Sequence, residues 1–527
     1  MKQGLLIFLL LAVGTIAQAG IPNNTLYYTT SDGHICAPNN ADAFGAKIVS
    51  NTYEKGQGIL TFDGDVTAIG ESAFMLCGIM TSVTLPASVT SIGRSAFSNC
   101  TGLTAIAIPD KVTSIGEGAF YYCRALSTID VPCSVTSIGS EAFYDCGEIS
   151  SIKWDSDVSP SCVTLYCKDK LKEVALGSNV TVIGTAAFRD CGGLTVIDIP
   201  TSVTRIGNNA FRGCSGLTSV VVPGSVTSIG ESAFDGCTGI TTLTVPGSVE
   251  SIGNYGLACN NIASLHWNSN LSPHHVTQYC KGALKDVTLG DGITTLGAKA
   301  FFECDGLSDV SLPGSITAIE SEAFSKCSGL RSVVLPSSLT TIGNNAFNGC
   351  SGLSAIEFPN TLKSIGNYAF NGCNGLKSVR IPEGVTSLGN YAFGWCTALT
   401  AIEIPSTATT LGNFAFLHCA LASAVCKATT PPSCGSACFA SVPTSATLYV
   451  PHGTTELYRN NTTDADADGW KHFAAITEMD TDGISTPTSA TPNARKRLIN
   501  GKIVIIKGKR ILGTEGKTEK VRMRECK

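Results

Sequence analysis

Residues 217–237 read Leu-Thr-Ser-Val-Val-Val-Pro-Gly-Ser-Val-Thr-Ser-Ile-Gly-Glu-Ser-Ala-Phe-Asp-Gly-Cys, and variants of this stretch fill most of the 527-residue chain. The Phe recurs every 23 residues, apart from two steps of 45 and 44 residues that each contain one degenerate unit. A unit this short cannot bury its own apolar face, so it must stack on copies of itself and build a solenoid. The Phe position is filled by Phe74, Phe97, Phe120, Phe143, Phe188, Phe211, Phe234, Leu257, Phe301, Phe324, Phe347, Phe370, Phe393 and Phe416.

Each unit contains three local patterns. The run Leu-x-x-Val-x-Val, which ends at Pro, predicts a short strand in a parallel stack. Val-Thr-Ser-Ile-Gly predicts a second short extended piece, whose Gly makes a turn. Ala-Phe-x-x-Cys predicts a helical turn that fills the interior. The chain is therefore predicted to be a solenoid of about 16 coils with short parallel β-strands and helical turns.

This repeat resembles the BspA-like leucine-rich repeats of bacterial surface proteins, and residues 217–237 are a near-ideal example. The resemblance covers residues 60–420. It implies a leucine-rich-repeat solenoid that adheres to host extracellular-matrix proteins or to other bacterial cells. The segment around Tyr449 and Trp470 is similar to the one that closes such arrays in Bacteroidetes proteins.

The two ends of the chain differ from the repeats. Lys2, an apolar run at 5–13 and the Ala-Gln-Ala of residues 17–19 are typical of a secretory signal peptide. Open solenoid ends expose strand edges and apolar side chains, so capping segments are expected. No other segment approaches the length of a spanning helix, so no transmembrane span is expected in the mature chain. The predicted organisation is a signal peptide at 1–19, an N-terminal cap at 20–59, repeats at 60–420, a C-terminal cap at 421–480, a Thr/Ser/Pro linker at 481–494 and a basic tail at 495–527.

The tail and the body carry opposite charge. Residues 495–527 contain 12 Lys/Arg and 3 Glu, whereas the net charge of the whole chain is −5. The body is therefore acidic, which argues against nucleic acid as a partner of the repeats. Residues 500–508 are similar to the end of type IX secretion sorting domains, which are longer β-sandwiches, so the tail is interpreted as a sorting-type segment.

A longer repeat is superimposed on the short one. Residues 149–191 match residues 262–304, which indicates that a five-unit block is duplicated. Each copy carries a Trp at its last strand position, Trp154 and Trp267. These rings either fill the interior, where Val or Ile usually sits, or stack on sugar rings if they are exposed. Trp267 is therefore a candidate glycan-binding residue.

Cysteine is frequent, with 23 residues in the chain. Most of them occupy the last position of the unit and predict a ladder of reduced thiols inside the solenoid, because a small buried Cys packs well. Export also permits disulfides. Off-ladder cysteines are expected to pair, Cys162 with Cys167 and two among Cys426, Cys434 and Cys438.

Three clusters have residue types found in metal sites. His274 and His275 lie near His266 and Cys280, but the matching positions of the other copy hold no histidine, so they are interpreted as loop histidines. The pair of cysteines at 434 and 438 lacks the second pair that a zinc site needs. Residues 464–469 open like a calcium loop, yet the twelfth position is Ala475 rather than Glu, which favours a solvated acidic loop. No metal or cofactor is predicted.

No Ser/His/Asp set, phosphate-binding loop or zinc-protease helix is present, so the chain is predicted not to be an enzyme. The x positions of the strand pattern remain as the exposed surface, and in most coils they are Thr, Ser or Ala. Later coils add charges of mixed sign, which are interpreted either as a solvated face with mutual ion pairs or as a contact stripe for a macromolecule. The residues of this stripe are Arg331, Glu357, Lys377, Arg380 and Glu403.

The leading functional hypothesis is a secreted or cell-surface protein that binds an extracellular protein or glycan by surface complementarity. Within it, an adhesin for host matrix proteins or other cells is preferred. The alternative is a glycan-binding or structural scaffold component of the cell surface.

Overall fold

The structure is a computed structural model that describes residues 20–466 and 468–479, together with the backbone of three strands between residues 494 and 514. The predicted signal peptide and residues 481–493 of the predicted linker lie outside the described residues. The chain forms a parallel-strand solenoid of about 17 turns, which confirms the predicted fold class. No helix in the described part of the chain is long and apolar enough to cross a membrane.

The first ladder of the solenoid consists of the strands predicted from Leu-x-x-Val-x-Val, here called the long strands. Neighbouring long strands pair in parallel and in register, as Ile106 pairs with Ile129. Side chains alternate, so that Ile106 is buried while Ala105 and Ala107 are exposed. The long strands are Met80–Thr84, Ala105–Ala107, Thr128–Val131, Ser151–Trp154, Glu173–Leu176, Ser219–Val221, Thr242–Val245, Ser264–Trp267, Asp286–Leu289, Asp309–Ser311, Ser332–Val334, Ser378–Arg380, Ala401–Ile404, Ser423–Cys426, Thr447–Val450 and Ala475–Glu478.

The second ladder consists of two-residue strands at the Ser-Ile of each unit. It is divided into three sheets, and each division falls at a degenerate coil, where a helix replaces the short strand. These helices are α1, Ser161–Cys167, and α2, His274–Thr277. The short strands are Ala68–Ile69, Ser91–Ile92, Ser114–Ile115, Ser137–Ile138, Val182–Ile183, Arg205–Ile206, Ser228–Ile229, Ser251–Ile252, Thr295–Leu296, Ala318–Ile319, Thr341–Ile342, Ser364–Ile365, Ser387–Leu388, Thr410–Leu411 and Ser433–Cys434.

The third side of the solenoid, here called the turn face, is built from the segments around Ala-Phe-x-x-Cys. Each segment closes on itself, as when Cys100 N donates to Phe97 O at 3.1 Å, and bonds to the next coil, as when Phe97 N donates to Ala119 O at 2.7 Å. The Phe rings stack inside with centroids 5.1–5.9 Å apart in the regular runs. The solenoid therefore has an aromatic column that is interrupted at the two degenerate coils and at Leu257.

The predicted thiol ladder is present, and all cysteines among the described residues are free. Where the preceding coil is also regular, the thiol donates to the Phe carbonyl of that coil, as in Cys100 to Phe74 O at 3.1 Å and Cys373 to Phe347 O at 3.2 Å. Burial raises the pKa of the Cys350 thiol to about 12, so this thiol stays protonated and remains a donor.

The predicted disulfides outside the ladder are not formed. Cys162 and Cys167 lie five positions apart on α1, and with 3.6 residues per turn they point to different sides of the helix. Each thiol donates instead to a local carbonyl, Ser159 O at 3.5 Å and Val163 O at 3.6 Å. In the C-terminal region Cys426, Cys434 and Cys438 are also free and buried.

At the N-terminal end, three antiparallel strands extend the long-strand sheet. The strand Thr25–Thr30 pairs with Gln57–Phe62 on one side and with the first long strand on the other, and Ile48–Glu54 forms the outer edge. The edge of the first repeat is thereby paired, where a cap is expected.

At the C-terminal end, the parallel ladder continues beyond residue 420, into the stretch predicted to be a cap. Phe439 lies 23 residues after Phe416 and stacks on it at 5.2 Å, although Cys438 replaces the usual Ala. The end of the column is closed by a short helix, Thr455–Arg459, and a 3₁₀ turn, Trp470–His472. Beyond it the tail forms an antiparallel sheet of Ala494–Ile499, Lys502–Lys507 and Arg510–Thr514.

Candidate binding surface

The predicted stripe lies on the exposed side of the long strands. Arg331, Glu357, Lys377 and Arg380 are exposed, and Glu403 is half-buried. Arg380 and Glu403 flank the buried central residue of their strands, where alternation turns them to the exposed side. Arg331 and Lys377 lie one residue before their strands, and Glu357 lies in a segment that forms no strand.

Two members of the stripe are held by an ion-pair chain across three coils. Arg380 Nε lies 3.1 Å from Glu403 Oε1, and Lys427 Nζ contacts the same oxygen. Arg331, Glu357 and Lys377 form no ion pair with any residue that the structure describes. The stripe is thus divided into a paired part at Arg380–Lys427 and an unpaired part at Arg331–Lys377.

A shallow groove crosses the long-strand face within the unpaired part. Its lining includes Val334, Leu335, Ile356, Phe358 and Pro359. The groove coincides with an interruption of the first ladder, because residues 354–359 form no strand. Phe358 stands where neighbouring coils have an aliphatic residue, and its ring packs edge-on against Phe370 at 5.4 Å.

Val334 was not among the predicted binding residues. Its side chain is 62% exposed, which leaves an aliphatic surface next to the groove. The sequence carried a signal for it, because Val334 replaces the polar or charged residue found at this outward position in the next coils, such as Glu357. The combination of exposed apolar surface with neighbouring unpaired charge is typical of protein-binding patches.

Trp267 does not belong to any exposed face. Both it and Trp154 are fully buried, and their indole N–H groups donate to Leu271 O at 2.9 Å and Val158 O at 2.8 Å. A buried indole whose N–H has a hydrogen-bond acceptor is a stable part of the core, so these rings fill the interior of the degenerate coils. The candidate role of Trp267 in stacking on sugars is therefore corrected to a role in the core.

Of the three clusters with residue types found in metal sites, the acidic loop is built into the fold by hydrogen bonds. Among the residues that the structure describes, no group of three His, Cys, Asp or Glu side chains is placed to hold a metal ion. Asp464 accepts hydrogen bonds from Cys434 N at 3.2 Å and Trp470 N at 2.9 Å, and Asp466 accepts one from Ala437 N at 2.8 Å. These two carboxylates thus tie the acidic loop to the last coil.

Comparison with known proteins agrees with this architecture. A family model for the BspA type leucine-rich repeat region, in six copies, matches residues 67–195, 183–280, 273–394 and 363–462. No curated protein matches the chain.

Several solved structures are similar to the chain. A leucine-rich repeat protein from Bacteroides ovatus is 28% identical, with 68% of this chain and 86% of that chain covered and a TM-score of 0.37. A leucine-rich cell surface protein from Faecalibacterium prausnitzii is 30% identical over 58% of this chain and 85% of that chain, with a TM-score of 0.25. Because the family model matches most of the chain, from residue 67 to residue 462, the chain belongs to the BspA-type leucine-rich repeat family.

Proposed function

We propose that this chain is a secreted or cell-surface protein that binds other macromolecules through its long-strand face. The preferred role is that of an adhesin for host matrix proteins or for other cells. It acts by surface complementarity, without turnover. The signal peptide predicted at residues 1–19 and membership of the BspA-type family support this location.

The observation that carries the proposal is the groove lined by Val334 and Glu357, with the exposed Arg331 in the same coil as Val334 and the exposed Lys377 in the coil after Glu357. An exposed charge without an intramolecular partner gives up no existing ion pair when a ligand binds, whereas Arg380 must first leave Glu403. Exposed apolar surface at the centre with charge at the rim matches the anatomy of protein interfaces. The groove region is therefore the expected centre of contact.

The direct test is retention of the purified chain on immobilised collagen, laminin and fibronectin. The double variant Arg331→Ala/Lys377→Ala is expected to weaken binding at least about tenfold, which corresponds to about 1.4 kcal/mol. Binding of the wild-type chain is expected to fall as salt rises, because the contact charges are exposed.

Lys153→Ala is the matched control, because Lys153 lies on the same face but is paired with Asp130 at 2.8 Å. It is expected to bind like the wild type. If the double variant is retained as well as Lys153→Ala, the long-strand face is not the contact surface. A Val334→Asp variant tests the groove separately and is expected to lose binding.

The burial of Trp267 removes the ring on which the glycan alternative was based.

Digestion of intact cells with a surface protease tests whether the chain is exposed at the cell surface. If neither matrix proteins nor glycans retain the chain, a scaffold role at the cell surface follows.

A further inference from the structure

The turn face of four consecutive coils carries no Asp, Glu, Lys or Arg. Segment 253–262 is also uncharged but stands alone, and the next segment, 435–444, is hydrogen-bonded to the acidic loop through Asp466. The preceding segment, residues 320–329, contains Glu320, Glu322 and Lys326. A neutral surface that spans four coils is unusual in this acidic body. The four uncharged segments are 343–352, 366–375, 389–398 and 412–421.

Aromatic side chains occupy this neutral surface. Tyr368, Tyr391 and Phe414 form a stack with ring centroids 4.7 and 4.6 Å apart. Beside it, the Trp395 ring lies against the His418 ring with centroids 4.1 Å apart. Trp395 is 48% exposed and Tyr368 is 37% exposed, so the aromatic groups are accessible from solvent.

The two neighbouring coils differ at the position of Trp395. In the following coil His418 lies against the indole ring. In the preceding coil the matching residue is Gly372, and in the coil before that it is Gly349. On its N-terminal side the indole therefore has no side chain at the equivalent position of the next coil.

The backbone at Trp395 accepts glycine as well as a bulky residue. Its φ is +58°, and the equivalent residue of other regular coils is also left-handed, as at Tyr122 and Lys326. The two preceding coils have glycine there, Gly372 and Gly349, with φ of +71° and +74°. Glycine takes this conformation without strain, so a change of Trp395 to glycine keeps the backbone of the coil.

A row of amide donors lies beside the aromatic groups. Asn367 Oδ1 accepts from Asn390 N at 2.7 Å, and Asn390 Oδ1 accepts from Asn413 N at 2.9 Å. These bonds fix the side chains, which are exposed, and their Nδ2 groups have no partner among the described residues. The amides are thus oriented in advance to donate outward, which lowers the entropy lost on binding.

We propose that this face, centred on Trp395, binds a neutral polysaccharide. A pyranose ring has an apolar face of C–H groups and a rim of hydroxyls. The C–H face stacks on the open side of the Trp395 indole, and the hydroxyls accept hydrogen bonds from Asn367, Asn390 and Asn413. The absence of Asp, Glu, Lys and Arg from all four segments favours an uncharged glycan over an anionic one. The site shares no residue with the long-strand face.

Tryptophan fluorescence gives a direct readout of this site. Of the four Trp residues, Trp154, Trp267 and Trp470 are fully buried, so iodide quenches Trp395 selectively. The experiment titrates the full chain with laminarin, dextran and galactomannan as neutral probes and with alginate as the anionic one. A neutral probe is expected to protect Trp395 from iodide in a saturable manner, and alginate is not.

Two variants separate binding from folding. Trp395→Gly is expected to weaken binding at least about tenfold with a melting temperature no lower than that of the wild type, because glycine relieves the backbone strain. Asn390→Asp keeps the oxygen that accepts from Asn413 N and removes the Nδ2 donor, and it is expected to weaken binding severalfold.

The proposal is overturned if no neutral probe protects Trp395, if alginate protects it equally, or if retention of the protecting glycan is unchanged in both Trp395→Gly and Asn390→Asp. Matrix-protein binding through Arg331 and Lys377 is measured separately. Failure of the glycan site therefore leaves the proposed function of the long-strand face standing, and failure of that face leaves the glycan site standing.

Discussion

The regular coils and the two helical coils make the same interior contact with different groups. In a regular coil the Phe backbone N–H donates to an Ala carbonyl of the next coil, as Phe301 N does to Ala323 O at 2.7 Å. In the helical coils a Thr hydroxyl takes that role, from Thr164 to Ala187 O and from Thr277 to Ala300 O, each at 2.7 Å. The Ala carbonyl is the acceptor in both types of coil, whereas the donor is a backbone N–H in one and a hydroxyl in the other. Each coil must therefore supply a hydrogen-bond donor to the Ala carbonyl of the coil that follows it.

The helical coils also differ in their backbone. Regular coils place residues with positive φ on either side of the Phe, as at Glu322 and Lys326. Between residues 146 and 185, and between 256 and 298, the structure shows no residue with positive φ. Because both copies make the same Trp and Thr hydrogen bonds, they form a second type of coil rather than a decayed regular one.

The largest expected difference between the coil types lies in the aromatic column. Phe347 is fully buried and stacks on Phe324 and Phe370, each at 5.1 Å. Phe347→Ala is expected to lower the free energy of unfolding in urea by about 3–5 kcal/mol, through lost contacts and a cavity. Phe347→Leu is the control, because Leu257 fills this position naturally. Equal losses for the two variants would contradict a column that depends on ring stacking.

The next effect concerns the donor of the helical coil. Thr277→Val keeps the shape of the side chain and leaves the buried Ala300 carbonyl without its 2.7 Å donor, which is expected to cost about 1–3 kcal/mol of stability. Thr317→Val is the matched control, because the exposed Thr317 hydroxyl donates to Thr294 O and water replaces that bond. Similar urea midpoints for the two variants would show that the Thr277 hydroxyl does not replace the backbone donor.

Much of the regular coil follows from the period of 23, because each Phe and each Cys must meet its copy when the coils stack. The helical coils are harder to predict. Their Trp replaces an aliphatic residue, and periodicity alone does not predict whether this larger ring points into the interior. The inward position depends on a carbonyl that accepts from the indole N–H, which Val158 or Leu271 provides. The parallel pairing past residue 420 does not follow from the motif, because Cys438 and Val442 replace the usual Ala and Cys, although Phe439 keeps the spacing.

The surface was predictable only in part. The x positions of the repeat predict that Arg331 and Lys377 are exposed, but the pairing of Arg380 with Glu403 depends on how side chains reach across coils. Trp395 was missed because an aromatic residue in a turn segment has no period of its own. Its signal was local: a bulky residue at a position where glycine occurs in the two preceding coils.

A smaller effect on stability is expected at the left-handed positions of the regular coils. Gly349 has φ of +74°, and a Cβ added there meets no atom closer than 3.6 Å, so a substitution is opposed by conformation alone. Gly349→Ala is expected to cost about 1–2 kcal/mol in urea denaturation. Gly314→Ala is the control, because a Cβ there meets nothing within 4 Å and its φ lies outside the left-handed region. If both variants are equally stable, the regular coil does not need its left-handed residues.

The smallest expected effect is a pH-dependent link between the second helical coil and the regular coils that follow it. The Glu303 carboxylate lies 2.6 Å from Lys281 Nζ, just after α2, and 2.8 Å from Lys326 Nζ in the next regular coil. Hydrogen bonds from Lys281 and Lys326 lower the pKa of Glu303 to about 2. A carboxyl group whose pKa is lowered by folding contributes stability above its ordinary pKa of 4.5. That contribution disappears as the pH falls from there to about 2, since the unfolded chain takes up the proton first.

Between these two pH values the wild type is therefore expected to lose more thermal stability than Glu303→Gln, and the difference should shrink in high salt because the group is exposed. The first helical coil supplies the control. There Lys168 Nζ is 4.0 Å from Asp190, whose side chain is one methylene shorter. Asp190→Asn is expected to change the pH profile less than Glu303→Gln. If the melting temperatures of the wild type and Glu303→Gln change with pH in the same way, the carboxylate contributes nothing to this link. The helical coil is then joined to its neighbours by the interior Thr hydrogen bond and by packing.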